Sequence, residues 1–361
     1  MKKWSKISVV ALALFLGASL SLLPGCGGGG GGSTPSTPTA IFGGAATAGD
    51  IFVLKIDYPA TGKATVIHSA TDGTLIETKE LTYSASGHTY TFTDSASNQF
   101  TGFMVPDTMF VMQVPDKSDI LIAVKVDTTI TTAQQLAFLK GHNYILTQFR
   151  HDKKGVKWVW SNVDADGAIT GHHANADNAL PVDLDDVGTA NDFPAGMDVD
   201  NFIYNSATSG FNLTVLDDDG TSEMWTLYYT PGGVGVIDKG PQRGLRFNTL
   251  KGTSTNPADY GIVLNDVYNT VFYGSHSETD HGTSVGTVTI TKVEANAFEA
   301  TVDDGRGGAA QTIRAVAAGE PWIGFFMIEG ANAVVQPIGG GAFVFAGKQG
   351  EWNYNYGVGV R

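Results

Sequence analysis

Eight residues, Asn162-Val163-Asp164-Ala165-Asp166-Gly167-Ala168-Ile169, carry the most specific chemistry in this chain. Side-chain oxygens stand at the first, third and fifth places, Gly at the sixth and an aliphatic at the eighth, which is the first half of a calcium-binding loop. A hard divalent cation needs several oxygens converging on one point, and the glycine permits the sharp turn that converges them. The twelfth place holds His173 instead of a bidentate Glu, so Asp177 or Asp183 would have to complete the shell. The same residues also read as an ordinary Asp-Gly turn. Asp217-Asp218-Asp219-Gly220 is a shorter version of the pattern. Calcium held by Asn162, Asp164 and Asp166, and by Asp217 and Asp219, is therefore the cofactor expectation.

Charge patterning favours a cation in the same region. Between Trp158 and Asp238 there is no Lys or Arg, yet fourteen Asp and Glu. Acids and bases balance elsewhere, so the formal net charge of −14 arises in this window. Uncompensated carboxylates repel one another unless they are solvated or bind cations. The window is also rich in aromatics: Trp158, Trp160, Trp225, Tyr228 and Tyr229. Trp158 and Trp160 stand two apart on a strand and share a face. They are candidate ligand-binding residues that could stack on a sugar or line a lipocalin-like cavity, or they pack in a core. His172-His173, and His276 with Glu278, Asp280 and His281, place imidazoles near carboxylates as a transition-metal site would. A solvated polar loop gives the same pattern.

Other chemistries find little support. Gly282-Thr283-Ser284-Val285-Gly286 fits G-x-S-x-G, but a nucleophile elbow needs a helix after the serine, and Thr287 to Val293 reads as a strand. There is no phosphate-binding loop or dinucleotide fingerprint. The single cysteine, Cys26, excludes disulfides and thiolate metal sites. The acidic balance argues against nucleic acid as a partner.

The elements that must position these residues read as strands. Runs such as Ile51 to Ile56, Ala64 to Ser69, Thr74 to Tyr83, His88 to Thr93, Phe100 to Val105, Met109 to Val114 and Ile120 to Val126 recur at short intervals, with Asp72-Gly73 as a hairpin signal. Thr132, with Gln135 three places on, opens a short helix that Gly141 stops. Strands resume at Asn143 to Phe149 and Lys157 to Ser161, then at Phe211 to Leu216 and Glu223 to Tyr229. Later runs include Leu245 to Asn248, Ile262 to Tyr273, Val285 to Val293, Phe298 to Val302, Thr312 to Ala317, Trp322 to Ile328, Val334 to Ile338 and Phe343 to Ala346. The fold class expected is all-β: tandem antiparallel β-barrel or β-sandwich domains joined by a short helix. The divisions expected are an N-terminal β-domain over 40–130, the helix over 131–141 and a C-terminal β-region over 142–361, with a possible split near 250.

The N-terminus supplies an address. Lys2, Lys3 and Lys6 precede an apolar run from Ile7 to Leu23, and Leu23-Pro24-Gly25-Cys26 follows. This resembles the lipobox of bacterial lipoproteins. The resemblance implies removal of residues 1–25 and lipidation of Cys26, which several acyl chains would hold to a membrane. Gly27 after the cysteine favours the outer membrane. Residues 26–39 add a Gly, Ser, Thr and Pro tether with a reach of about 20 Å. No later segment is apolar for long enough to span a bilayer as a helix. The function expected is a non-enzymatic binding module in the cell envelope, with a protein or glycan partner left open. The alternatives are a structural envelope lipoprotein and a hydrolase of extracellular polymer. Mass spectrometry of the isolated protein is expected to find an acylated Cys26 at the mature N-terminus; an intact leader would refute the address.

Overall fold

The computed structural model describes residues 39–47, 49–57, 62–114, 119–150, 155–174, 193, 195–216, 221–240, 244–275, 281–339, 341–349 and 353–361. Cys26, residues 27–38 of its tether, and the Asp217 and Asp219 pair lie outside these residues, while Thr39, expected in the tether, begins the first strand. Alternating side chains give each strand two faces, and short connections pair each strand with its successor. The chain is all-β and builds three antiparallel sheets of eight strands, two of them closed barrels.

The first barrel runs β1 (Thr39–Ala46), β2 (Ile51–Asp57), β3 (Lys63–Ser69), β4 (Leu75–Ser86), β5 (Thr89–Thr93), β6 (Gln99–Val105), β7 (Met109–Gln113) and β8 (Ile120–Lys125), and β1 closes it by pairing with β2 and β8. Helix α1 (Thr132–Ala137) follows. Its cap is one residue earlier than expected: Thr131 Oγ1 accepts from the Gln134 N–H and Gln134 Oε1 accepts from the Thr131 N–H. The middle sheet is an open half-barrel of β9 (His142–Arg150), β10 (Gly155–Val163), β11 (Ile169–Ala174), β12 (Ile203–Asn205), β13 (Gly210–Leu216), β14 (Ser222–Tyr229), β15 (Gly235–Asp238) and β16 (Leu245–Leu250), in the order β11-β10-β9-β16-β15-β14-β13-β12. The second barrel runs β17 (Val267–Ser275), β18 (His281–Val293), β19 (Ala297–Asp303), β20 (Gln311–Ala317), β21 (Phe326–Ile328), β22 (Ala333–Ile338), β23 (Ala342–Gln349) and β24 (Asn353–Val360), and β24 closes it against β17 and β23.

The closing strands β1 and β24 are absent from the sequence reading because glycines interrupt them and lower their strand propensity. Closure needs those glycines. A Cβ on Gly357 would stand 2.4 Å from Phe345 Cε1, and one on Gly359 would stand 2.6 Å from Phe343 Cζ. Ile262 also departs from expectation. It lies before β17, outside the strand predicted over Ile262 to Tyr273.

Burial explains how the sheets meet. In β5 buried residues alternate with partly exposed ones, as a wall with one solvated side requires, whereas β7, β8 and β22 are buried on almost every residue. A strand apolar on both sides needs a second surface beyond its own barrel. The outer faces of all three sheets therefore share one core. It contains Val111 and Ile122 of the first barrel, Trp158, Phe247 and Tyr228 of the middle sheet, and Tyr273, Val344 and Tyr356 of the second barrel. Tyr273 and Tyr356 stack at 4.8 Å, and Phe149 lies 4.4 Å from Tyr356. One buried amide pins the interface. Gln336 Nε2 donates to the Ile145 carbonyl at 3.0 Å and to Thr249 Oγ1 at 2.9 Å, and Thr147 Oγ1 donates to Gln336 Oε1 at 2.6 Å.

Asp238 is fully buried on the outer face of β15. Desolvation, with Asp50 of the first barrel adding repulsion, pushes its carboxyl up to about 6, although the Gly240 N–H donates to it at 3.2 Å. A carboxyl whose pKa is higher folded than unfolded stabilises at low pH, and that contribution disappears as pH rises through the folded value. Asp238→Asn is thus expected to raise stability at pH 8, by up to about 3 kcal/mol, and to change little near pH 4. Urea unfolding at the two pH values checks this.

Candidate ligand-binding site

The hairpin of β10 and β11 holds most of the residues with candidate chemistry. Its turn is made by Asp164, whose Oδ1 accepts the backbone N–H groups of Asp166, Gly167 and Ala168 at 2.9, 2.7 and 2.9 Å. Those bonds hold the carboxyl below its ordinary value. Asn162 Nδ2 donates to Asn143 Oδ1 at 2.7 Å, which turns that side chain toward β9. Positive charge reaches the turn from Lys140, whose Nζ donates to the Asp166 carbonyl at 3.0 Å and lies 2.8 Å from Asp200 Oδ1. Asp200, with Asp198 and Asp166 behind it, holds that ammonium above its ordinary value. Among the described residues no three His, Cys, Asp or Glu side chains gather as a metal centre would need. Asp177, Asp183, Asp217, Asp219, His276, Glu278 and Asp280 lie outside the described residues.

Trp158 and Trp160 do share a face, and it is the outer one. Trp158 is buried in the core common to the three sheets. Trp160 packs against that core and stacks on His172 at 5.2 Å. The opposite face of the half-barrel carries Trp225, whose ring lies 4.4 Å from Lys239 Nζ and 4.9 Å from the Arg246 guanidinium. Both cations come from outside the lysine-free window, and strand pairing brings them beside it. Gly282-Thr283-Ser284-Val285-Gly286 lies inside β18. Gly286 is needed there because the turn after β19 crosses it: a Cβ would stand 2.0 Å from the Asp303 carbonyl oxygen.

The interiors of the two barrels differ, and the difference locates a site that sequence reasoning did not find. The first barrel is filled by rings: Phe110 meets Phe42 and Phe92 at 5.7 Å each and Tyr90 at 5.4 Å. In the second barrel the aromatics gather at one end. Tyr260, from a 3-10 turn over Pro257–Tyr260, meets Phe326 edge-on at 5.7 Å, Phe298 meets Phe326 at 5.5 Å, and Tyr268 lies 4.8 Å from Phe343. Burial pushes the Tyr268 phenol up to about 12, as expected for a closed floor. Toward the other end, where the β19–β20 and β21–β22 turns lie, the inner positions become small, with Gly274, Ala333 and Gly347. They leave a cavity of about 700 Å³ walled by Phe272, Val288, Phe298, Ile313, Val335 and Phe345.

Polar side chains line only the rim. Asp304, Arg306 and Gln311 come from the β19–β20 turn and its edge, and Asn332 comes from the β21–β22 turn. Gly305 shapes the first of these turns with φ 72°. Arg306 Nη2 reaches across the mouth to the carbonyls of Gly274, at 3.4 Å, and Gly282. The signal available in the sequence was the run Gly305-Arg306-Gly307-Gly308-Ala309-Ala310, small residues surrounding one cation between two strands. Comparison with protein-family models and with curated protein sequences finds no match.

The charge arrangement at the β10–β11 turn makes a prediction. Replacing Lys140 by Met leaves Asp198 and Asp200 without their cation and should lower the melting temperature slightly, as loss of a solvent-screened ion pair does. The variant is expected to regain its melting temperature in millimolar calcium, while the unmodified protein melts alike in calcium and in chelator. A calcium-dependent rise in the unmodified protein would instead place a cation at the Asp164 loop.

Proposed function

We propose that the protein is a non-enzymatic binding module whose site is the interior of the second barrel, and that Cys26 and its tether hold this cup near a membrane surface. The observation that carries the reading is the half-filled barrel: an apolar cavity of about 700 Å³ with a closed aromatic floor and a polar rim. That volume lies within the range of small-molecule sites, which are concave, mostly apolar and edged by a few polar groups. Eight-stranded antiparallel barrels are just wide enough either to fill with side chains or to hold one small ligand. Here the first barrel is filled and the second is not. The ligand class that fits is an apolar or amphipathic small molecule, not a sugar stacked on Trp158 and Trp160, because those rings face the shared core.

Fluorescence titration with the neutral apolar probe N-phenyl-1-naphthylamine tests the reading. Saturable binding at one site per chain is expected. Ile313→Trp places a large ring in the cavity from the solvent-facing wall and should weaken binding at least tenfold while the protein still unfolds cooperatively. Absence of saturable binding, or binding that Ile313→Trp leaves unchanged, would refute the cup.

A further inference from the structure

We infer that the cup takes a single-tailed amphiphile with an oxyanion head, tail toward the aromatic floor and head at Arg306; this rests on the binding-module reading above. The argument begins with the guanidinium. Arg306 is exposed at the rim and is anchored by main-chain carbonyls, which orient it without neutralising its charge. Only its Nη2 is used in this way. Its Nη1 and Nε have no partner among the described residues. A planar fork held at a fixed point with unspent donors suits a carboxylate or phosphate, which takes two parallel N–H bonds from it.

Neither neighbouring carboxylate forms an ion pair with Arg306 among the described residues. Asp304 Oδ1 accepts the backbone N–H of Arg306 at 2.9 Å and so serves the turn. Asp303 Oδ1 likewise accepts from the Gly305 N–H at 2.9 Å. A second observation places polar atoms without partners at the same end of the barrel. Asn332 Oδ1, in the lining, is buried and has no hydrogen-bond partner among the described residues. The same holds for Ser284 Oγ, which sits on β18 opposite Phe272, one of the cavity's wall residues. Buried polar atoms of this kind ordinarily find a partner, and a head group carrying bound water or a hydroxyl supplies one. Below this ring the walls offer no charge, which requires the remainder of the ligand to be apolar.

The test compares four twelve-carbon compounds on the full-length protein by displacement of N-phenyl-1-naphthylamine. Laurate and dodecyl phosphate carry the two oxyanion heads, dodecanol is neutral, and dodecyltrimethylammonium is cationic. At least one anion is expected to bind roughly tenfold tighter than dodecanol, and the cation weakest. The better of the two anions identifies the head as carboxylate or phosphate. Arg306→Gln should remove the advantage of the anion over dodecanol, and saturable binding of N-phenyl-1-naphthylamine to the variant shows that it retains its cup. Arg306→Lys should recover only part of that advantage. Equal binding of anions and dodecanol, a preference for the cation, or an anion preference that survives Arg306→Gln would overturn the inference while leaving the cup intact. Failure of all four to displace a probe that itself binds saturably would likewise overturn the inference and leave the cup intact, whereas absence of saturable probe binding would refute both.

Discussion

The structure depends on strands that must bury both faces at once. A barrel hides only its inner face, so a strand such as β8, with Ile120, Leu121, Ile122, Ala123 and Val124 all buried, cannot be satisfied by its own barrel. Its outer side chains have to meet another sheet. The same holds for β22 and β23 in the second barrel and for β9 and β16 in the middle sheet, and the three surfaces meet in one core. Each large apolar side chain buried there contributes on the order of 1.5–3 kcal/mol. Apolar contact alone is non-directional, and Gln336 supplies direction. Its amide finds Ile145, Thr147 and Thr249 together, and a slip of one strand would strand those polar groups in an apolar interior.

With one sector of the second barrel committed to that core, the opposite wall of β19, β20 and β21 is left to the solvent. Its strands show the one-sided alternation of a barrel wall, with Glu299, Arg314 and neighbouring charges outside and apolar side chains inside. The size of the inner side chains decides whether such a barrel is a solid core or a cup. In the first barrel, rings from several strands meet at the middle. In the second, most ring contacts lie at the floor, Phe272 and Phe345 stand in the cavity wall, and the inner positions toward the rim are Gly and Ala, too small to meet across the barrel. Packing density as high as that of a protein interior leaves few voids by accident, so a cavity of this volume reflects which residues line it.

The acidic window illustrates how far linear patterning reaches. A stretch without Lys or Arg suggested bound cations; among the described residues, the side-chain cations beside it are Lys140, Lys239 and Arg246, which come from outside the window. The spacing around Asp164 suggested convergent oxygens. Within a tight hairpin, an Asp two to four residues ahead of free backbone N–H groups bonds them itself, and that local option took the carboxylate. The helix cap shows the same competition on a small scale: Thr131 with Gln134 and Thr132 with Gln135 both suit the role, and the first pair forms the cap while Gln135 Nε2 donates to the Asp127 carbonyl at 2.7 Å.

From its own residues the chain determined what is local. Alternation specified strands, Asp72-Gly73 specified a turn, and the short spacing between strands favoured an antiparallel sheet of sequential neighbours. The shared face of Trp158 and Trp160 followed from a side-chain period of two. Only the tertiary structure decided which face was inside. It also decided that glycine-rich β1 and β24 are strands at all, and that one barrel holds a cavity while the other is full. Those outcomes depend on which distant residues meet across a barrel, and a Gly is read as a break or as room for a phenylalanine ring only once the ring is in place.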